Sequence, residues 1–222
     1  MQEDGQSAEY AVLAAAMLRE RIEAVRQLIV KAGLIPVSLV PHGIATANLA
    51  ESSIDPLTNE KALGFLRVGG KNSMLVIYVG EKLALARQFK TGFNALLENV
   101  IKEYGLDEET AAKFVSSGSF DFTSYLSAGA KSWMHQVGIS LDFIERRYGH
   151  RVEDLFVLST EETGPALMSA FRAVPERNVQ VWNALDGLGL RDESAGNGGG
   201  NEFAIAACEA RRIMQKGIEG NA

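Results

Sequence analysis

Between residues 62 and 89 three β-rich runs follow one another with almost no chain between them. Ala62–Val68, Met74–Val79 and Leu83–Phe89 are joined only by Gly69-Gly70-Lys71-Asn72-Ser73 and by Gly80-Glu81-Lys82. Links this short cannot hold a parallel crossover, which takes about a dozen residues or more, so the runs must pair as antiparallel hairpins. A three-stranded meander has apolar faces that other elements must cover. The chain that follows supplies them. Phe93, Leu96, Leu97, Val100, Ile101 and Tyr104 recur at helical spacing and end at Gly105, and Asp107 is placed to cap a second helix running to Val115. After a Ser/Gly loop (SSGSF), Leu126, Ala130, Trp133, Val137, Leu141, Ile144 and Tyr148 form one stripe of a long helix ended by Gly149. Asp154–Ser159 reads as a strand, Gly164–Arg172 as a helix with Pro165 near its start, and Asn178–Trp182 as a strand. Arg191–Asn201 is a Gly-rich polar loop and Glu202–Lys216 a last helix. The string β-β-β, helices, β-α-β-α specifies an α/β fold: a mixed sheet with an antiparallel three-strand meander and flanking helices.

The first fifty residues have a different pattern. Tyr10–Ala16 is a short apolar run that reads as a buried strand. Leu18, Ile22, Val25 and Ile29 then mark one side of an amphipathic helix whose wet face carries Arg19, Glu20, Arg21, Glu23 and Arg26, with Gly33 as its cap. Pro36–Val40 reads as a strand, Gly43–Ala50 as a short helix of small residues, and Glu51–Glu60, with Asp55-Pro56, as a loop. This predicts a first domain over residues 1–54 and a second over 55–222, with a helical insertion at about 92–120. The two early strands have no meander of their own. Unpaired edges and uncovered apolar faces invite association. They are expected to pack on the second domain, of the same chain or of another copy.

Charge and composition exclude several function classes. The 222 residues carry a net charge of −6, the wrong sign for a protein that grips phosphates with Lys and Arg or adsorbs on anionic lipid. The single cysteine, Cys208, rules out an intrachain disulfide or a cysteine-based zinc site. It lies in an apolar helical run and reads as a buried structural thiol. Met1–Ser7 is polar and acidic, unlike a signal peptide, and no apolar run reaches the ~20 residues that span a bilayer. The last helix has only Ile213 and Met214 beside Arg211 and Arg212, too little for direct membrane insertion. His42, His135 and His150 have no metal-ligand spacing, and Ala62–Val68 has no carboxylate for a metal-dependent nuclease of this topology.

Lys31–Ala45, Ala86–Ala111 and Tyr148–Leu158, in this order, resemble the PilM family of type IV pilus assembly proteins, relatives of the actin-like cell-division protein FtsA. Lys31-Ala32-Gly33-Leu34-Ile35-Pro36-Val37, followed by Gly43-Ile44-Ala45, is similar to that family's helix, "GL-x-P-V" strand and small-residue helix. Ala86-Arg87 through Gly92, then Gly105-Leu106-Asp107-Glu108-Glu109-Thr110-Ala111, resembles the end of its meander and the next helix. Tyr148-Gly149 and Leu155-Phe156-Val157-Leu158 resemble its long-helix terminus and following strand. The resemblance spans roughly residues 10–190. It implies an actin-like (ribonuclease-H-like) fold, with residues 55–222 as a second lobe and residues 1–54 as the β-α-β-α end of a first. It also implies a cytoplasmic scaffold at the inner membrane of a type IV pilus or related type II secretion platform. Its partner would be the cytoplasmic tail of a bitopic membrane protein (PilN-like), with a homo-oligomer as a further possibility. An FtsA-like division scaffold is the remoter relative.

Departures from the ATPase pattern alter that expectation. Actin-like ATPases open the second meander with Asp-x-Gly, whose Asp orients metal-bound water. The matching stretch here is Arg67-Val68-Gly69-Gly70, followed by Lys71. Arginine pairs with phosphate but cannot hold Mg²⁺. The adenosine loop, Leu-x-Gly-Gly in the family, is here Leu158-Ser159-Thr160-Glu161-Glu162-Thr163-Gly164. Arg67, Gly69, Gly70, Lys71 and Gly164 are thus the candidate relic nucleotide residues. The expectation is a pseudo-ATPase without a cofactor, the alternative an ATP/Mg²⁺ protein whose first lobe lies elsewhere. The plainer readings are an ordinary hairpin loop at Gly69–Ser73 and a salt-bridged strand-end Arg67.

Overall fold

A computed structural model describes residues 16–54, 61–117, 120–160, 163–171, 177–190 and 200–219. The chain divides into two units, Met1–Pro41 and His42–Ala222. In the first, helix α1 (Arg19–Lys31) closes on Gly33 at φ 78°. Its surface is tied by Arg26 Nη2 donating to Glu23 Oε1 at 2.7 Å. Residues 34–41 have no regular structure, so the strand expected at Pro36–Val40 does not form. A strand needs a ladder partner, and here Ile35 and Val37 are 87% and 75% exposed. Residues 10–15, the other early strand, lie outside the described residues.

The second unit begins at His42. Helix α2 (His42–Glu51) is buried along Ala45, Thr46, Ala47, Leu49 and Ala50. Small side chains let it lie close to the sheet, where the Tyr78 hydroxyl donates to the Ala47 carbonyl at 3.1 Å. The sheet has five strands: β1 (Ala62–Val68), β2 (Ser73–Val79), β3 (Lys82–Phe89), β4 (Val152–Leu158) and β5 (Asn178–Val181), in the order β3-β2-β1-β4-β5. The meander is antiparallel, with Val68 opposite Ser73 and Ser73 opposite Phe89. β4 joins β1 in parallel, Arg67 opposite Leu158, and β5 joins β4 in parallel.

Period-two alternation sends side chains into two cores. Ala62, Leu66, Leu75 and Ile77 face helices α3 (Phe93–Tyr104), α4 (Glu108–Ser117), α5 (Thr123–Tyr148) and α6 (Gly164–Phe171). That core includes the expected long-helix stripe, with Trp133 1% exposed and edge-on to Phe171 at 5.2 Å. Leu63, Phe65, Val76 and Tyr78 face α2 and the C-terminal helices α7 (Ala184–Gly187) and α8 (Ala204–Glu219), where Cys208 is buried. Phe65 stacks on Phe156 at 5.3 Å and meets Trp182 at 4.9 Å. Both faces being covered explains why β2 shows almost unbroken burial. Among the described residues no helix is long and apolar enough to cross a membrane.

Candidate functional site

β1 and β4 point the same way, yet the chain leaves β1 toward β2 on one side and β4 toward β5 on the other. In open α/β sheets a crevice opens outside the carboxyl ends of strands at such a divergence, and ligands collect there. Here it measures about 210 Å³ and is lined by Arg67, Gly69, Gly70, Ser159, Thr160 and Thr163 among others. The structure therefore brings Arg67, Gly69 and Gly70 together. Lys71 is an exposed residue of the same turn, and Gly164 is the first residue of α6, beside the crevice.

The glycine turn faces α3 with its carbonyls. Phe93 N–H donates to Gly69 O and Asn94 N–H to Gly70 O, both at 2.9 Å, which satisfies two of the otherwise orphaned donors at the start of α3. Gly69 N–H closes the hairpin on Asn72 O at 3.0 Å. Gly164 N–H donates to Thr160 O at 2.9 Å. Two of the amides that would face a phosphate in a backbone cradle are thus already used, and Gly69–Ser73 is built as a hairpin loop. The close approach depends on Gly92. A Cβ there would stand 2.2 Å from Gly69 O and 2.6 Å from Gly70 O.

Arg67 is the unusual member. Alternation along β1 puts it on the α2 face after Leu63 and Phe65, and its strand neighbours are Met74 and Leu158. It is half-buried. Among the described residues its guanidinium has no hydrogen bond and no ion pair, so the salt-bridged strand-end arrangement does not occur. Loss of water lowers its pKa from the ordinary arginine value. The charge also reaches His42 at the head of α2. By area His42 is exposed, yet its imidazole is lowered first by partial desolvation and then by Arg67.

Sequence reasoning overlooked Asn201. It is 5% exposed, and its amide donates to Ser159 O and Trp182 O, both at 3.1 Å, pinning together the ends of β4 and β5. The only signal was a lone Asn between a glycine run and a helix. Thr160 and Thr163 hydroxyls bond each other at 2.9 Å at the crevice wall. Glu161 and Glu162 lie outside the described residues, as does most of the Gly-rich loop.

No family model and no curated protein matches the chain. Solved structures do. The chain is similar to a protein of the PilM-PilN type IV pilus biogenesis complex, with TM-score 0.68 and 18% identity over 87% of this chain and 58% of that one. It is similar to the ethanolamine utilization protein EutJ from Carboxydothermus hydrogenoformans, with TM-score 0.51 and 16% identity over 74% of this chain and 57% of that one. MreB 5 of Spiroplasma citri, solved with AMPPNP, matches with TM-score 0.53 and 13% identity over 94% of this chain and 69% of that one. The fold is that of the actin-like ATPases. The chain spans less than two thirds of the PilM-complex and EutJ chains.

Proposed function

We propose that this chain is a non-catalytic actin-like scaffold of a type IV pilus or related type II secretion assembly platform. The observation that carries the reading is Arg67. At the carboxyl end of β1, where the actin-like pattern has a metal-orienting Asp, the crevice presents a cation with no partner among the described residues. A guanidinium repels Mg²⁺ and cannot position the water that attacks a phosphoryl group. The likeness to a PilM-complex protein favours the pilus setting over the division or filament roles of other actin-like proteins. On this reading the protein works in the cytoplasm, reaches the inner membrane through the cytoplasmic tail of a bitopic, PilN-like protein, and needs no cofactor. The observation favouring a second reading, a nucleotide-binding ATPase, is the retained crevice with its glycine turn and Thr160–Thr163 wall.

The scaffold reading is tested in cells by fractionation. The full protein is expected to sediment with inner membranes and to move to the soluble fraction when the bitopic partner loses its cytoplasmic tail. Recovery in the soluble fraction in both backgrounds contradicts it.

A further inference from the structure

We infer that the outer stripe of α5 is a self-association surface, on which a second copy of this chain docks antiparallel and crosses at Gly138. The groove beside this stripe shares no lining residue with the β1/β4 crevice.

The case begins with a glycine that the described fold does not require. Glycine is the least favourable residue short of proline in a helix interior, and α5 holds two, Gly129 and Gly138. Gly129 has its reason inside the chain. A Cβ there would stand 3.0 Å from the Ala95 carbonyl oxygen and from the Leu96 Cα, where α3 packs against α5. A Cβ on Gly138 would meet no described atom within 4 Å beyond its own helix. Gly138 opens instead on a groove of about 1120 Å³ lined at its base by the buried Ala130, Val137, Leu141 and Ala170. A helix whose backbone is bare at one point, beside an apolar groove, suits the close approach of another helix.

Charge says which helix. Lys131, Gly138 and Glu145 fall nearly on one line along α5, with Lys131 two turns before the glycine and Glu145 two turns after it. The N-terminal half of the stripe adds His135, and residues 123–137 carry no carboxylate. The C-terminal half adds Asp142. Its two carboxylates share the single guanidinium of Arg177, at 3.5 Å from Asp142 and 3.8 Å from Glu145, so negative charge is left over. A two-fold rotation about Gly138 reverses the stripe. Lys131 of each copy then faces Glu145 of the other, and both pairs form at once. A self-complementary patch of this kind is what a two-fold dimer needs. A parallel pair would set Lys131 against Lys131 and Glu145 against Glu145. Met134, half-buried at the groove, has the flexible side chain that adapts to an incoming surface. One helix pair buries less than the roughly 1,200–2,000 Å² of standard stable interfaces, so the dimer is weak and reversible.

The test is sedimentation equilibrium of the purified chain over a series of rising concentrations, with thermal melts to show that each variant folds. The native chain is expected to pass reversibly from monomer to dimer. Gly138→Leu adds a side chain where the monomer has open space. It is expected to melt no lower than the native chain and to weaken the dimer roughly tenfold or more, because the crossing point is filled. Lys131→Glu and Glu145→Lys are each expected to weaken self-association, and an equal mixture of the two to regain it, since both cross-pairs are then of opposite sign. Where a charge variant fails to fold, Gly138→Leu alone decides. A chain that stays monomeric at every concentration overturns the inference, as does a dimer that Gly138→Leu leaves unchanged. A mixture that associates no more tightly than either charge variant by itself overturns the antiparallel crossing.

Discussion

At position 92 a methyl group has nowhere to go. The two carbonyls it would strike, Gly69 O and Gly70 O, are backbone atoms already engaged by the first turn of α3. Neither can rotate away as a side chain would. Gly92→Ala is therefore expected to cost about 1–3 kcal/mol, the range for overpacking a fitted site, read as a lower denaturant midpoint with an unchanged slope. The glycine was legible in the sequence as part of a motif, but its reason was not, because the atoms that forbid a side chain come from a different hairpin. Arg67 was legible as a departure. That it has no partner among the described residues was not, since its strand neighbours, Met74 and Leu158, are set by two ladders. His42 makes stability depend on pH. Its folded pKa lies below the ordinary value of 6.5. Above that value both folded and unfolded chains hold a neutral ring and its contribution is complete. As pH falls below it, the unfolded chain takes the proton first and stability declines. A proton NMR titration is expected to place the His42 midpoint below 6.5 and to show Arg67→Gln raising it only partway, because desolvation is the larger cause. A midpoint unchanged by Arg67→Gln would show that the two groups do not interact.

Elements with local signals were read well. Helix α4 starts where Asp107 permits: the carboxylate accepts from Thr110 N–H at 2.9 Å and from the Thr110 hydroxyl at 2.8 Å. Those bonds hold the carboxyl below the usual Asp range. Asp107→Ala is expected to loosen the first turn of α4, detectable as faster amide exchange confined to α4. Helices α3 and α5 end on left-handed glycines, Gly105 at φ 63° and Gly149 at φ 71°, as their spacing implied. The meander was legible because short glycine links leave one pairing. Pro36–Val40 was misread because alternation states only that a segment would suit a sheet. It says nothing of whether a neighbouring strand exists, and Pro36 and Pro41 remove two donors that a ladder would use.

Over the whole molecule the sheet with helices on both faces was foreseeable from element order, but the division at Pro41 was not. It follows from α2, whose small residues fit against β2 and β3 and so belong with the later sheet. The crevice could not be drawn from sequence for a similar reason. It exists because β4 lies beside β1, bringing residues 67–70 against Leu158, Ser159, Thr160 and Thr163. Under the proposed function Arg67 stands where an actin-like ATPase faces its metal with a carboxylate, and the protein does not take up Mg²⁺–ATP. A thermal-shift titration with Mg²⁺–ATP tests it most directly, since a ligand that binds only the folded form raises the melting temperature by mass action. Adding Mg²⁺ to an ATP titration is expected to produce no further rise for the native chain. A saturable rise that appears only when Mg²⁺ and ATP are both present, and that Arg67→Gln leaves in place, would contradict it.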